Sequence, residues 1–313
     1  MAVIGIDLGG TKICSALYSQ IDGIVFEHKG LIDRSLSDEV FEKIRSQIKL
    51  LLEEGGKAGE EISSIGISVP GIYNHDNGTV WLPNIAGWDN YPLLDRLEQA
   101  FEGIRFVIAS DRECYILGEV WKGKAKGCKN AIFIAVGTGI AAGIMSDGQI
   151  LRGSKGIAGA IGWLALNKPY DEKYIPCGCN EYYASGEGLV RYAREVMTEH
   201  PAYKGVFSSE KEISGVNLIE AYLHDDPVAK EVINTAIEYW GMTVANLVSI
   251  FNPEKIIFGG GVFSGKACQF LDRIFVEALK WGQPISMKQV ELHCSENGNY
   301  AGLYGALSLA LNS

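Results

Sequence analysis

The stretch Val3-Ile4-Gly5-Ile6-Asp7-Leu8-Gly9-Gly10-Thr11-Lys12-Ile13-Cys14-Ser15-Ala16-Leu17 constrains this chain more than any other. One apolar run ends on Asp7, a Gly-Gly-Thr-Lys turn follows, and a second run returns through Ile13, Cys14, Ala16 and Leu17. The pattern predicts a strand, a tight turn and a returning strand. It sets the Asp7 carboxylate and the Thr11 hydroxyl beside backbone N–H groups. Gly9 and Gly10 admit a bulky anion because no Cβ stands in its way. Such a concave turn favours phosphate oxygens, and a neighbouring Asp recruits the magnesium ion that phosphates bring. A surface hairpin with two glycines fits the same residues, so this stretch alone leaves both readings open.

Further along, Gly23 to His28 predicts a third strand, and the apolar residues Val40, Phe41, Ile44, Ile48, Leu51 and Leu52 predict a helix ended by Gly55-Gly56. Ile62 to Val69 is the next strand, stopped by Pro70-Gly71. Ile72 to Tyr91 shows no period but holds Trp81, Pro83, Asn84, Gly87 and Trp88, the composition of a loop packed along a ligand cleft. Arg105 to Ala109 predicts a strand, with Ser110 and Asp111 at its end and a helix to about Trp121. An Asp in that place is first of all a helix N-cap. Ala131 to Val136, the Gly137-Thr138-Gly139 turn and Ile140 to Met145 repeat the opening pattern. This is a hint of internal repetition. Helices follow over Gly188–Met197 and Val216–Tyr222, and a long one starts at Pro227 behind a capping Asp226. Lys255 to Phe258 is a strand closed by Gly259-Gly260-Gly261. Ala267–Leu279 is a helix, Gln289–His293 a strand and Tyr300–Leu311 a final helix. Alternating strands and helices predict α/β layers with mixed sheets.

A chain of 313 residues suits two domains sharing a cleft. With 28 basic and 38 acidic side chains, a net charge of −10 and no basic tail, a general nucleic-acid binder is excluded. No apolar run approaches the roughly twenty residues of a membrane span, and no leader pattern opens the chain. The expectation is a cytoplasmic protein with neither membrane nor nucleic-acid partner. Seven irregularly spaced cysteines predict no disulfide framework. Neither glycine turn has the spacing of a dinucleotide fingerprint or a P-loop.

Asp7-Leu8-Gly9-Gly10-Thr11-Lys12, Asp111 after a strand, Val136-Gly137-Thr138-Gly139 and Phe258-Gly259-Gly260-Gly261 occur in the order of the actin-like ATPase-fold sugar kinases. More closely, the chain resembles the ROK family of repressors, open reading frames and kinases. Pro83-Asn84 with Gly87-Trp88, Leu117-Gly118-Glu119 and Ala158-Gly159-Ala160-Ile161-Gly162 add to the resemblance, which covers essentially the whole chain. It implies an actin-like (ribonuclease H-like) α/β fold with two α/β domains around a cleft. The small domain would span 1–121 plus a C-terminal helix at about 298–313, and the large one 122–297. It also implies an ATP- and Mg-dependent kinase acting on a hexose or sugar-like polyol such as a cyclitol, and a homodimer. Asp7 would organise Mg2+ through water. Gly9, Gly10 and Thr11 would line one phosphate turn and Gly137, Thr138 and Gly139 the other, with Gly260 and Gly261 against the adenosine. Asp111 would be the general base. Substrate contacts would come from Gly71, Asn84, Ser110, Asp111, Trp163 and Glu181. Lys12 is read as a solvated strand residue. The repressor branch carries a helix-turn-helix domain ahead of its DxGGT motif, which opens this chain at residue 7, so no such domain is expected.

The chain departs from the family in the sugar pocket. Ser110 stands where members have Asn, and Ala160 and Trp163 replace a Glu and a His, while Glu181 is kept. Trp163 would stack on an apolar ring face or lie in the core. The zinc motif is reduced to Cys177 and Cys179. A closed structural zinc site takes four ligands, so no zinc is expected. A sugar-responsive binding or regulatory protein is the alternative function.

Overall fold

In the computed structural model, residues 2–35, 37–208 and 213–313 are described. The chain divides into two compact units, Met1–Lys126 with Arg152–Ala158 and Asn299–Ser313, and Gly127–Leu151 with Gly159–Gly298.

In the first unit the opening apolar runs form strands β1 (Ala2–Leu8) and β2 (Lys12–Ser19), paired antiparallel with Asp7 opposite Cys14. Strand β3 (Gly23–Leu31) continues the meander, and helix α1 (Ser37–Lys57) leads to β4 (Ile62–Val69). Helix α1 runs through Gly55-Gly56 rather than ending there. A Cβ at Gly55 would stand 2.4 Å from Ile62 Cδ1, so that glycine serves close packing, and the chain leaves the helix at Gly59, with φ +72°. The stretch after Gly71, expected as loop, contains a hairpin of β5 (Ile72–Asn74) and β6 (Thr79–Trp81), followed by α2 (Leu93–Ala100). Strand β7 (Arg105–Ser110) and helix α3 (Asp111–Lys122) complete this part, with sheet order β3-β2-β1-β4-β7 and β4 and β7 parallel to β1. Strand β1 is almost wholly buried, as a central strand covered on both faces must be.

The second unit repeats this topology. Strands β8 (Ala131–Val136), β9 (Ile140–Ser146) and β10 (Gln149–Ile150) form an antiparallel meander. Helices α4 (Cys179–Ala184), α5 (Gly186–Glu199), α6 (Gly215–Leu223) and α7 (Pro227–Phe251) follow, then β11 (Lys255–Gly259), α8 (Leu271–Leu279), α9 (Pro284–Met287) and β12 (Glu291–Cys294). The order β10-β9-β8-β11-β12, with β11 and β12 parallel to β8, matches the first sheet strand for strand. Asp226 caps α7 by accepting from Ala229 N at 3.0 Å, with Pro227 in the first turn. The helix expected over Ala267–Leu279 begins as a 3-10 turn over Lys266–Phe270. Cys268 and Cys294 form a disulfide. This departs from the expectation drawn from cysteine spacing, because only the pairing of β12 with β11 brings the two together.

The last helix, α10 (Ala301–Leu311), returns to the first unit, where it lies on β1 and β4. Gly5 and Gly66 are register partners there, and a Cβ on them would meet Leu307 Cγ at 2.6 Å and the Ala306 carbonyl at 1.9 Å. The paired glycines let the helix settle directly onto the strands.

Candidate active site

In the first unit the turn after β1 is closed by Gly9 N–H donating to Lys12 O at 2.8 Å. Gly10 and Thr11 are exposed. Asp7 ends the strand run with its carboxylate against the start of α10, where a Cβ on Gly302 would fall 2.5 Å from Asp7 Oδ1. Burial pushes the Asp7 carboxyl up to about 6, with the Ser68 hydroxyl offsetting part of the rise. Asp111 is the first residue of α3, not its cap; Ser110 holds the cap position and makes no capping bond. Asp111 Oδ1 accepts from Arg112 N–H at 2.8 Å. Burial and, less strongly, the Asp7 charge push its carboxyl up to about 6, against the Arg112 charge and the Tyr115 hydroxyl. Asp7, half-buried and raised chiefly by burial, offers carboxylate oxygens of the kind a hard divalent cation takes.

Ser110 is 1% exposed. Its hydroxyl donates inward to Glu113 Oε1 at 3.2 Å. Glu113 Oε2 accepts from Arg152 Nε at 2.8 Å. Burial opposes the charge on Glu113, but His75 and Arg152 outweigh it and hold the carboxyl below its ordinary range. The Asn84 loop is packed from beneath by buried Leu82, Ile85 and Trp88, with Trp88 stacked on Tyr91 at 4.2 Å between ring centres. That packing leaves Asn84 exposed. Gly71 passes the neighbouring hairpin so closely that a Cβ would stand 2.3 Å from Trp81 O.

In the second unit Glu181 sits beneath the Gly137-Thr138-Gly139 turn. Its Oε2 accepts from Ile140 N–H at 2.9 Å, and a Cβ on Gly139 would lie 2.7 Å from the same oxygen. Burial raises the Glu181 carboxyl, and the Ile140 N–H and the Arg191 charge offset part of the rise. Gly260, with φ +84°, crosses the end of β8, where a Cβ would be 2.6 Å from Val136 O. A cavity of about 610 Å³ brings Gly137, Thr138 and Gly261 together. Helix α5 supplies one of its walls with Glu187, Val190, Arg191 and Arg194, and the start of α6 another with Ser214, Gly215 and Val216. Sequence reasoning missed these walls, although 187, 191 and 194 recur at helical spacing on one face of α5. Trp163 is 60% exposed, which removes the core reading of that residue. Cys177 and Cys179 are buried, and Arg191 Nη1 lies 3.4 Å from Cys177 Sγ. Two thiols beside a guanidinium do not fit a closed zinc site, and among the described residues no three His, Cys, Asp or Glu side chains stand together for a metal.

Two sheets of one topology, each bearing a glycine turn between its first two long strands, define the actin-like ATPase fold. The ROK family model matches residues 3–313. The chain belongs to the ROK family. It is 31% identical over 312 residues to a glucokinase of Halalkalibacterium halodurans, covering 96% of this chain and 92% of that one. It is 29% identical over 286 residues to the xylose repressor of Caldicellulosiruptor bescii, covering 89% of this chain and 69% of that protein. A ROK family glucokinase from Streptomyces griseus, solved with glucose and AMPPNP, superposes with a TM-score of 0.75 at 29% identity over the full length of both chains. No helix among the described residues is long and apolar enough to cross a membrane.

Proposed function

We propose that this carbohydrate kinase transfers the γ-phosphoryl group of ATP to a hydroxyl of a hexose or sugar-like polyol, with Asp111 as the general base. The observation that carries this is the state of Asp111, a half-buried carboxyl raised to about 6 that opens a helix in the same unit as Asp7 and the Gly9–Thr11 turn. A base with a pKa near working pH is ionised when the acceptor binds and still basic enough to take its proton. Gly9, Gly10 and Thr11 would receive phosphate oxygens on one turn and Gly137, Thr138 and Gly139 on the other. The cavity beside Thr138 and Gly261 has the size and mixed lining of a nucleoside pocket. Asp7 would hold Mg2+ through water, and the ion neutralises charge on the phosphates when bound. Asn84, Trp163 and Glu181 would contact the sugar, Trp163 by stacking on a ring face. The glucokinase relatives and the glucose complex of the Streptomyces griseus enzyme support a hexose acceptor. Exposed Ile250, Val276, Leu279, Trp281 and Ile285 of the second unit favour a homodimer, which light scattering would check.

A second reading, a sugar-binding regulatory homologue, is favoured by the inward turn of Ser110 and by the likeness to a repressor. Incubation with ATP, Mg2+ and a panel of hexoses, N-acetylhexosamines, amino sugars and cyclitols separates the two, with phosphorylated product followed by mass. Asp111→Asn should lower kcat by about 100-fold or more while both ligands still bind. Full turnover in that variant removes Asp111 as the base. A wild type that binds sugar without turning it over selects the regulatory reading.

A further inference from the structure

Every charged residue that the sequence nominates for contact with substrates is an acid: Asp7, Asp111 and Glu181. A phosphoryl group in flight spreads negative charge over its oxygens, and protein cations commonly share with the metal the work of neutralising it. The first unit places one such cation beside the glycine turn. Arg34 lies in the bend after β3, and this bend is fastened on both sides. Ile32 N–H donates to Thr11 O at 3.1 Å, pinning the chain two residues before Arg34 to the end of the turn. Asp33 Oδ1 accepts from both the N–H and the hydroxyl of Ser35, at 2.9 and 2.7 Å, and closes the bend around Arg34. The Arg34 carbonyl accepts from Ala86 N–H at 3.0 Å, two residues past Asn84. Arg34 Nη1 lies 3.6 Å from the point where a Cβ on Gly10 would stand. The side chain is exposed, and among the described residues no carboxylate is paired with it.

We propose that Arg34 is a catalytic residue of the donor site, its guanidinium meeting γ-phosphoryl oxygens over the Gly9-Gly10-Thr11 turn. This rests on the assignment of that turn to phosphate. In the transfer, the acceptor oxygen bonds to the γ-phosphorus and the bond from that phosphorus to the β–γ bridging oxygen breaks. ADP leaves with the electron pair, and the acceptor's proton passes to Asp111. Arg34 exchanges no atom; it carries counter-charge from ground state to transition state. A guanidinium suits the task because its planar fork matches two phosphate oxygens and stays charged at every working pH. The bond from Ala86 sets Arg34 on the same bend that supports Asn84, so the phosphate cation and an acceptor loop share one backbone anchor.

Calorimetry tests this without knowledge of the acceptor, with ADP and the ATP analogue AMPPNP, each with Mg2+, as probes. Arg34→Gln should weaken AMPPNP binding roughly tenfold and leave ADP within about twofold, and Arg34→Lys should fall between. With ATP and the best sugar of the panel, Arg34→Gln should lower kcat roughly a hundredfold and spare the KM of the sugar. Unchanged AMPPNP affinity in Arg34→Gln, or equal loss for both nucleotides, overturns the proposal. If the wild type binds neither nucleotide, the phosphate assignment of the turn falls and takes the proposal with it, a result distinct from a loss confined to the variant. Arg34 is exposed, so an unchanged melting temperature certifies that the variant is folded.

Discussion

Asp111 shows how a side chain gains its chemistry from place. Its ordinary carboxyl titrates at 3.8, and enclosure at the head of α3 moves it to about 6. Only the ionised form accepts a proton, so kcat/KM should rise with pH through a midpoint near 6 and level off above it. The groups that face this carboxylate set the sign: Arg112 and Tyr115 favour its charge, whereas burial and Asp7 oppose it. Asp7, itself raised by burial, loses its proton over the same range, and its ionisation opposes that of Asp111. A pH–rate profile from 4.5 to 8.5 in about half-unit steps measures the midpoint. A flat profile down to the ordinary carboxylate range would mean that the reactive base is a solvated group.

At the scale of elements, the first turn of α3 is tied to the segment Arg152–Ala158. Glu113 accepts from Arg152 Nε at 2.8 Å, Arg112 Nη2 donates to Gly156 O at 2.9 Å, and Ser110 completes the set through Glu113. The residues on either side of Asp111 are thus engaged with structure. Glu113→Gln removes the charge from a side chain 8% exposed whose partner Arg152 is 43% exposed. The variant should lose about 1–3 kcal/mol in urea unfolding, and segment 152–158 should exchange amide hydrogens faster. Stability within about 0.5 kcal/mol of the wild type would show that the tie carries no net energy. This tie also marks what the sequence can and cannot disclose. The strand-turn-strand at Asp7 and its echo at Gly137 are legible because their signals lie within a dozen neighbouring residues. Asp226 and Pro227 announce α7 for the same reason. Arg152 meeting Glu113, Arg34 beside Gly10 and Cys268 joined to Cys294 depend on pairings between distant segments, which no local pattern encodes. Gly55 reads as a stop because a glycine that admits close packing looks, in sequence, like one that ends a helix.

Over the whole molecule, the first unit takes its residues from both ends of the chain. Helix α10 supplies Leu303 and Leu307, fully buried, to the face of β1 and β4 opposite α1. The Ser64 hydroxyl donates to Ala310 O at 2.6 Å, and Gly302 makes room for Asp7. The sheet that carries the expected phosphate turn and base is therefore incomplete until the last thirteen or so residues dock. Leu307 is the position that tests this dependence, because its side chain fills the space over Gly5, while the Ala306 backbone fills that over the paired Gly66. Neither glycine has a side chain to collapse into the space that truncation opens, so little of the lost contact is recovered. Leu307→Ala should then destabilise the fold by about 2–5 kcal/mol, read from the denaturant midpoint at unchanged slope. Because Gly302 in the same helix abuts Asp7, a displaced helix should also weaken nucleotide binding, so the loss should be larger with ADP and Mg2+ present than without them, mass action adding less stability to the variant that binds more weakly. A midpoint that does not move would mean that α10 docks without contributing to the first unit's core, and the burial of Leu307 would then have to be offset by strain elsewhere in the helix.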